Sequence, residues 1–198
     1  MPMLEIALGK MTEQHIDDAH LLRLISKGDE AALVTLHERY GGQLYSYALR
    51  ILKDHHVADD VLQDSLLVIW QKAGTFRKEG SVRAWLFSIV HNKAMKTFRG
   101  RASSPLDETA LETIPSEFET EESKLSQERS SLLRAGLDGL SVEHRTVLEL
   151  VFYQGMTMKE VAQVCNVPVG TVKSRLNYAK NGLKGSLSRA GMTMEDLE

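Results

Sequence analysis

Asp59, Asp60 and Asp64 are the residues most readily imagined as reactive, since clustered carboxylates can serve as acid–base pairs or metal ligands. Nothing nearby completes such a site. The seven histidines are scattered, only His55 and His56 are adjacent, and no pair stands four apart on a helix. The single cysteine, Cys165, can close no internal disulfide and makes no zinc site alone, so it reads as a small apolar residue. No G-x-S-x-G, Walker-type or G-x-G-x-x-G stretch occurs. The three aspartates then read as one acidic helix face. No catalytic residue, metal or cofactor is expected, and the chain is not expected to be an enzyme.

The remaining chemistry is hydrogen bonding and positive charge, concentrated between Thr157 and Leu187, TMKEVAQVCNVPVGTVKSRLNYAKNGLKGSL. Thr157 and Glu160 form a capping box that opens a short helix. Val161, Ala162, Val164 and Cys165 give that helix an apolar side, and Asn166-Val167-Pro168 ends it. Pro168 suits the start of the next helix, where its missing N–H costs nothing. At about 100° per residue, Val172, Leu176, Ala179 and Leu183 fall in one sector and should pack on the first helix. The opposite side carries Lys173, Ser174, Asn177, Tyr178, Asn181 and Lys184, with Arg175 and Lys180 on the flanks. From Gly170 to Arg189 no acid interrupts Lys173, Arg175, Lys180, Lys184 and Arg189. Short helix, tight turn and long cationic helix are the pattern of a helix-turn-helix that reads a major groove. The plainer alternative is a solvated basic helix on an ordinary bundle.

A net charge of −3 hides an asymmetry. Residues 82–101 carry Arg83, Lys93, Lys96, Arg99 and Arg101 and no acid. Residues 102–125 carry Asp107, Glu108, Glu112, Glu117, Glu119, Glu121 and Glu122 against Lys124 alone. Two basic helices flanking an acidic strip point to a nucleic-acid partner. Few stretches alternate in the manner of strands, so the fold class expected is all-α. Two small helical domains, 15–101 and 126–190, are expected to flank an acidic flexible linker at 102–125, the second ending in the helix-turn-helix. No apolar run approaches a membrane span and the N-terminus lacks a signal-peptide pattern, so a cytoplasmic protein without membrane insertion is expected. Met1 and Met11 are both possible starts.

Helices are expected from Asp17 or Asp18 through Ile25, after the Gly28-Asp29 stop and cap, and again after a Gly41-Gly42 break. Val57–Lys72 buries Val57, Val61, Leu62, Val68 and Ile69 but shows Asp59, Asp60, Gln63, Leu66, Leu67 and Trp70 on its reverse. An acidic, apolar face of that kind fits a protein partner or a covering helix of the same domain. Ser81 caps a helix over Val82–Arg101 in which Val82, Leu86, Val90 and Ala94 point inward. Trp85, Ser88, Asn92, Lys96 and Arg99 share another side, a mixture suited to unpaired DNA bases and phosphates, or simply a solvated basic face with Trp85 in the core.

Taken together, VADDVLQDSLLVIWQKA, FRKEGSVRAWLFSIVHNKAMKTFRGRA and LSVEHRTVLELVFYQGMTMKEVAQVCNVPVGTVKSRLNYAK resemble the extracytoplasmic-function sigma factors of bacterial RNA polymerase, over roughly residues 17–190. The resemblance implies a polymerase-clamp contact through Asp59, Asp60, Gln63, Asp64, Leu67 and Trp70. It implies minus-ten recognition by Trp85, Ser88, Asn92, Lys96 and Arg99, with Asn92 near a flipped base and the Phe76–Ser81 loop assisting. It implies minus-thirty-five contacts by Thr171, Lys173, Ser174, Arg175, Asn177, Tyr178 and Lys180. Core RNA polymerase, promoter DNA and an anti-sigma protein are the partners implied, in a stress or envelope response. Ser88, Asn177 and Tyr178 depart from residues common in the family, so no promoter sequence carries over. Without that resemblance, the alternative is a free-standing helix-turn-helix regulator.

Overall fold

Asp17 opens the first helix, α1 (Asp18–Ile25), and Gly28 at φ +87° turns the chain out of it. Asp29 accepts from the Ala32 N–H at 3.1 Å and starts α2 (Glu30–Leu52), so the Gly-Asp pair stops one helix and caps the next as expected. Asp54 repeats the device for α3 (His55–Lys72), accepting from Val57 at 3.1 Å after Lys53 closes α2 in the left-handed region. The Val57 N–H holds the Asp54 carboxyl below its usual range, and Arg101 at 3.1 Å adds to this. A single 3-10 turn, Ala73–Thr75, leads to Ser81, whose hydroxyl accepts from Ala84 at 3.2 Å and caps α4 (Val82–Ala102).

The computed structural model describes residues 17–77, 80–102 and 131–189. The expected linker at 102–125, apart from the helical backbone of Ala102, and residues 126–130 of the expected second domain lie outside the described residues, as do Met1 and Met11. The helix α5 is described over residues 131–138. Ser141 caps α6 (Val142–Leu148), which widens into a π turn over Glu149–Tyr153 and ends at Gly155, φ +60°. Then come α7 (Met158–Cys165) and α8 (Val169–Arg189). Among the described residues there is no strand.

Gly41 and Gly42 do not break a helix: α2 runs through them. Two interior glycines cost roughly 1 kcal/mol each relative to alanine. Burying Leu36, Leu44, Tyr47, Ala48 and Ile51 along one helix outweighs that. Gly41 is itself buried, and a methyl there would meet the His37 ring at 2.8 Å.

The helix α4 is the centre of the molecule. Val82, Leu86, Val90 and Ala94 are buried as the spacing predicts, but so are Ala84, Phe87, His91 and Met95 on a second side. One side packs on α2 and α3, the other on α7. One apolar core therefore runs from Leu21 in α1 to Ala179 in α8, and the two helical units are docked through α4 and α7. Charged groups fringe the docking surface: Arg50 meets Glu149 at 2.8 Å, and Lys53 meets Asp138 at 2.6 Å.

Candidate nucleic-acid and polymerase interfaces

The helix-turn-helix forms as its sequence dictates. Thr157 Oγ1 accepts from the Glu160 N–H at 3.3 Å, while Glu160 Oε2 accepts from the Thr157 N–H at 2.9 Å. Burial pushes the Glu160 carboxyl upward, but Thr157, Ser81 and the charge of Arg83 outweigh it and leave it below the usual range. Asn166 at φ 51° ends α7, and Pro168 precedes the first turn of α8. Val172, Leu176, Ala179, Leu183 and Leu187 are buried against α6 and α7.

That inward sector fixes what α8 shows outward. Lys173, Ser174, Asn177, Tyr178 and Lys180 are exposed, while Thr171 and Arg175 are half-buried. Ser174 Oγ donates to the Thr171 carbonyl at 3.0 Å, leaving its lone pairs outward. Tyr178, 65% exposed, stacks on His144 of α6 with ring centroids 5.9 Å apart. Lys180 lies 5.3 Å over the Phe152 ring. The outer face therefore presents amide, hydroxyl, aromatic and ammonium groups to solvent, with Tyr178 and Lys180 resting in part on His144 and Phe152. Arg175 is different: it is half-buried, and its charge is felt by His91 of α4 and by Cys165 of α7. Cys165 is half-buried, and burial pushes its thiol up to about 11, which suits an inert apolar residue.

On α4 the five sequence-predicted residues divide. Asn92, Lys96 and Arg99 are exposed. Trp85 is half-buried, edge-on to Phe76 at 5.7 Å, and packs on the core. Ser88 Oγ donates to the Trp85 carbonyl at 2.7 Å, so its proton is already committed. The Phe76 ring thus ties the loop before α4 to the indole. Lys78 and Glu79 of that loop lie outside the described residues.

The reverse side of α3 also divides. Asp59, Asp60 and Gln63 are exposed, and Gln63 donates to Asp59 at 2.9 Å. Leu67 is 61% exposed, an unusual state for leucine that marks an apolar spot among acids. Leu66 and Trp70 are half-buried against the core, covered in part by their own domain. Asp64 takes a 2.7 Å bond from Lys93 of α4, which holds the acidic face of α3 beside the basic helix.

Sequence reasoning missed the groups at the docking surface: Tyr47, His91, Arg50, Arg83, Glu149 and Gln154. A faint signal existed, because Val142, Thr146, Glu149 and Tyr153 share one helical face by spacing. Glu149 is only 6% exposed, and burial raises its carboxyl against the opposing pull of Arg50 and Gln154. Among the described residues no group of three or more His, Cys, Asp or Glu is placed to hold a metal, and no helix is long and apolar enough to cross a membrane.

Comparison with known proteins fits this geometry. Residues 36–104 match Sigma-70 region 2 and residues 136–184 match Sigma-70, region 4. The ECF RNA polymerase sigma factor SigL of Mycobacterium tuberculosis is 33% identical over 167 residues, 83% of this chain and 94% of the relative. The ECF RNA polymerase sigma factor SigK of Mycobacterium sp. (strain KMS) is 28% identical over 172 residues, 84% of this chain and 89% of the relative. The solved structure of CnrH in complex with the cytosolic domain of CnrY superposes with a TM-score of 0.65 at 26% identity, covering 87% of this chain and 97% of that one. The sigma factor RpoE of Bartonella quintana, solved with the anti-sigma factor NepR, gives 0.63 at 24% identity over 78% of this chain and 95% of that one, a likeness of fold. With an exposed polar and cationic face on α8 and basic residues along α4, in two regions matched in order along one chain and with a relative 33% identical over most of both chains, this protein is a member of the extracytoplasmic-function sigma factors of RNA polymerase.

Proposed function

We propose that this sigma factor brings core RNA polymerase to promoters by dividing the work among three helices. The outward face of α8, with Lys173, Ser174, Asn177 and Tyr178, reads the minus-thirty-five duplex, flanked by Thr171, Arg175 and Lys180. Asn92, Lys96 and Arg99 of α4, with Trp85 and Ser88 behind them, receive the melted minus-ten strand. Unstacking a base step costs a few kcal/mol, which these groups and the polymerase must offset. Asp59, Asp60, Gln63, Asp64, Leu67 and Trp70 of α3 grip the polymerase. Residues 15–101 and 126–190 act as the two promoter-binding domains, joined by the acidic linker at 102–125. The chain carries no reaction of its own; the polymerase does the chemistry, in the cytoplasm. An anti-sigma protein, and a stress or envelope signal acting through it, complete the reading by resemblance to the family.

The observation that carries this reading is the exposure of α8's polar and cationic face while its apolar face is sealed. Run-off transcription with purified core polymerase on genomic fragments tests it. Selective transcripts should require both proteins and should weaken with Lys173→Ala and with Asn92→Ala. Operator protection by this chain unaided, with no effect on transcription by core polymerase, would favour a free-standing regulator instead.

A further inference from the structure

A cleft of ≈ 390 Å3 opens where the two units meet. Gln43, Ser46 and Arg50 of α2 and Arg83 of α4 line it from one side, and Tyr153 and Gln154 of the π turn from the other. The wall holds two guanidiniums, two amides and two hydroxyls, and no carboxylate. Arg83 Nη2 donates to Gln43 Oε1 and to Gln154 Oε1, both at 3.2 Å, so its hydrogen bonds among the described residues go to neutral acceptors. Its charge reaches Glu160, but that carboxylate is already engaged by Thr157 and Ser81. Arg50 donates to Glu149 at 2.8 Å behind the wall and lies 4.0 Å over the Tyr153 ring. Two cations therefore face one hollow whose lining holds no carboxylate, with Glu149 paired to Arg50 and Glu160 engaged elsewhere.

Guanidinium forks match phosphate oxygens in geometry and charge, and hydrogen bonds to a charged group are the strong ones. A hollow of this volume falls in the range of small-ligand sites and is far too small for a double helix. We propose that the cleft binds a small phosphate-bearing anion between Arg50 and Arg83, and that its occupation holds the two units docked. The second half follows by linkage. Walls drawn from both units exist together only when the units are docked, so a ligand of the complete site favours that state.

Calorimetric titration of the full chain with inorganic pyrophosphate, against sodium chloride at matched ionic strength, tests the site. Pyrophosphate should bind the native chain, and Arg83→Gln should weaken it about tenfold or more. Gly42→Gln supplies a variant that keeps its fold. Gly42 lies on the cleft wall with nothing within 4 Å of an added Cβ, and glutamine is the better helix former. Its side chain should fill the hollow and abolish binding without lowering the melting temperature. Amide exchange at Tyr153 and Gln154 should slow with pyrophosphate in the native chain and not in Gly42→Gln. No binding beyond the chloride control, or binding that survives Gly42→Gln, would overturn the site. Binding without slowed exchange would overturn the claim that the anion holds the units together.

Discussion

Tyr47 and His91 meet across the contact of α2 with α4, 2.8 Å from phenol oxygen to Nδ1, and both are buried. Phe87 packs on the same phenol, with ring centroids 5.3 Å apart. Burial keeps the phenol protonated by pushing it well above its ordinary value, so its O–H can donate to Nδ1. Burial also lowers the His91 imidazole to about 4, and the charges of Arg99 and Arg175 act in the same direction against Glu143. His91 is thus a neutral core residue at pH 7.

Acid should therefore loosen the fold through this one residue. The unfolded chain takes up the His91 proton as pH falls through 6.5, whereas the folded chain resists to about 4. Stability is lost across that window, by at most about 3 kcal/mol. His91→Gln keeps an acceptor for Tyr47 but does not titrate. Urea unfolding at pH 7 and at pH 4.5 should show a smaller acid loss in the variant than in the native chain. Equal losses would exclude His91 as the sensitive group.

The Arg50–Glu149 pair should be asymmetric. Glu149 is buried and raised by its burial, while the Arg50 side chain is 43% exposed. Arg50→Ala strands a carboxylate with only the Gln154 amide, 3.3 Å away, and should cost about 2 kcal/mol. Glu149→Gln keeps neutral hydrogen bonds and should cost less than about 1 kcal/mol. The sign with pH follows from the raised carboxyl: its favourable contribution is complete below the ordinary 4.5 and is lost as pH rises through the higher folded value. Arg50→Ala should thus be most damaging at pH 8 and partly relieved at pH 5. Chemical denaturation at the two pH values decides, and a pH-independent loss would mean that Glu149 does not carry the effect.

Both pairs lay beyond the reach of sequence, and the reason is physical. Caps, stops and single-sided stripes are local, so Asp29, the Thr157/Glu160 box, Asn166 and the Val172–Leu183 sector could be read directly. The exposure of Lys173, Ser174, Asn177, Tyr178 and Lys180 on α8 came with them, because the inward sector determines the outward one. The docking of α7 on α4 is a long-range event with no local signature. Phe87 and His91 are buried against Tyr47 of α2 on a face of α4 that periodicity leaves unassigned, and in the docked chain the charge of Arg175, a flanking cation by spacing, is felt by His91. Gly41-Gly42 misleads for the same reason, since packing overrides propensity.

Leu67 should separate polymerase binding from folding better than Trp70. Leu67 is 61% exposed, so Leu67→Ala should leave the unfolding midpoint almost unchanged while weakening core-polymerase affinity about tenfold. Trp70→Ala should lower both, because the indole is half-buried against the core. Melting curves and fluorescence titrations with core polymerase give the two readings. Full affinity in Leu67→Ala would remove the outer face of α3 from that interface.

Lys173 and Arg175 stand two residues apart on α8 yet should behave differently toward DNA. Lys173 is exposed on the outer face, where an ammonium is free to neutralise one phosphate. Losing one such contact should reduce the slope of log affinity against log salt by about one. Arg175 is half-buried and its charge is felt by His91, so Arg175→Ala should change that slope less while easing protonation of His91 in the docked chain. Anisotropy of a labelled minus-thirty-five duplex with holoenzyme across a potassium chloride series measures the first effect, and the imidazole proton shift against pH measures the second. A larger salt effect from Arg175 than from Lys173 would mean that the units separate on DNA and release that guanidinium to the phosphates.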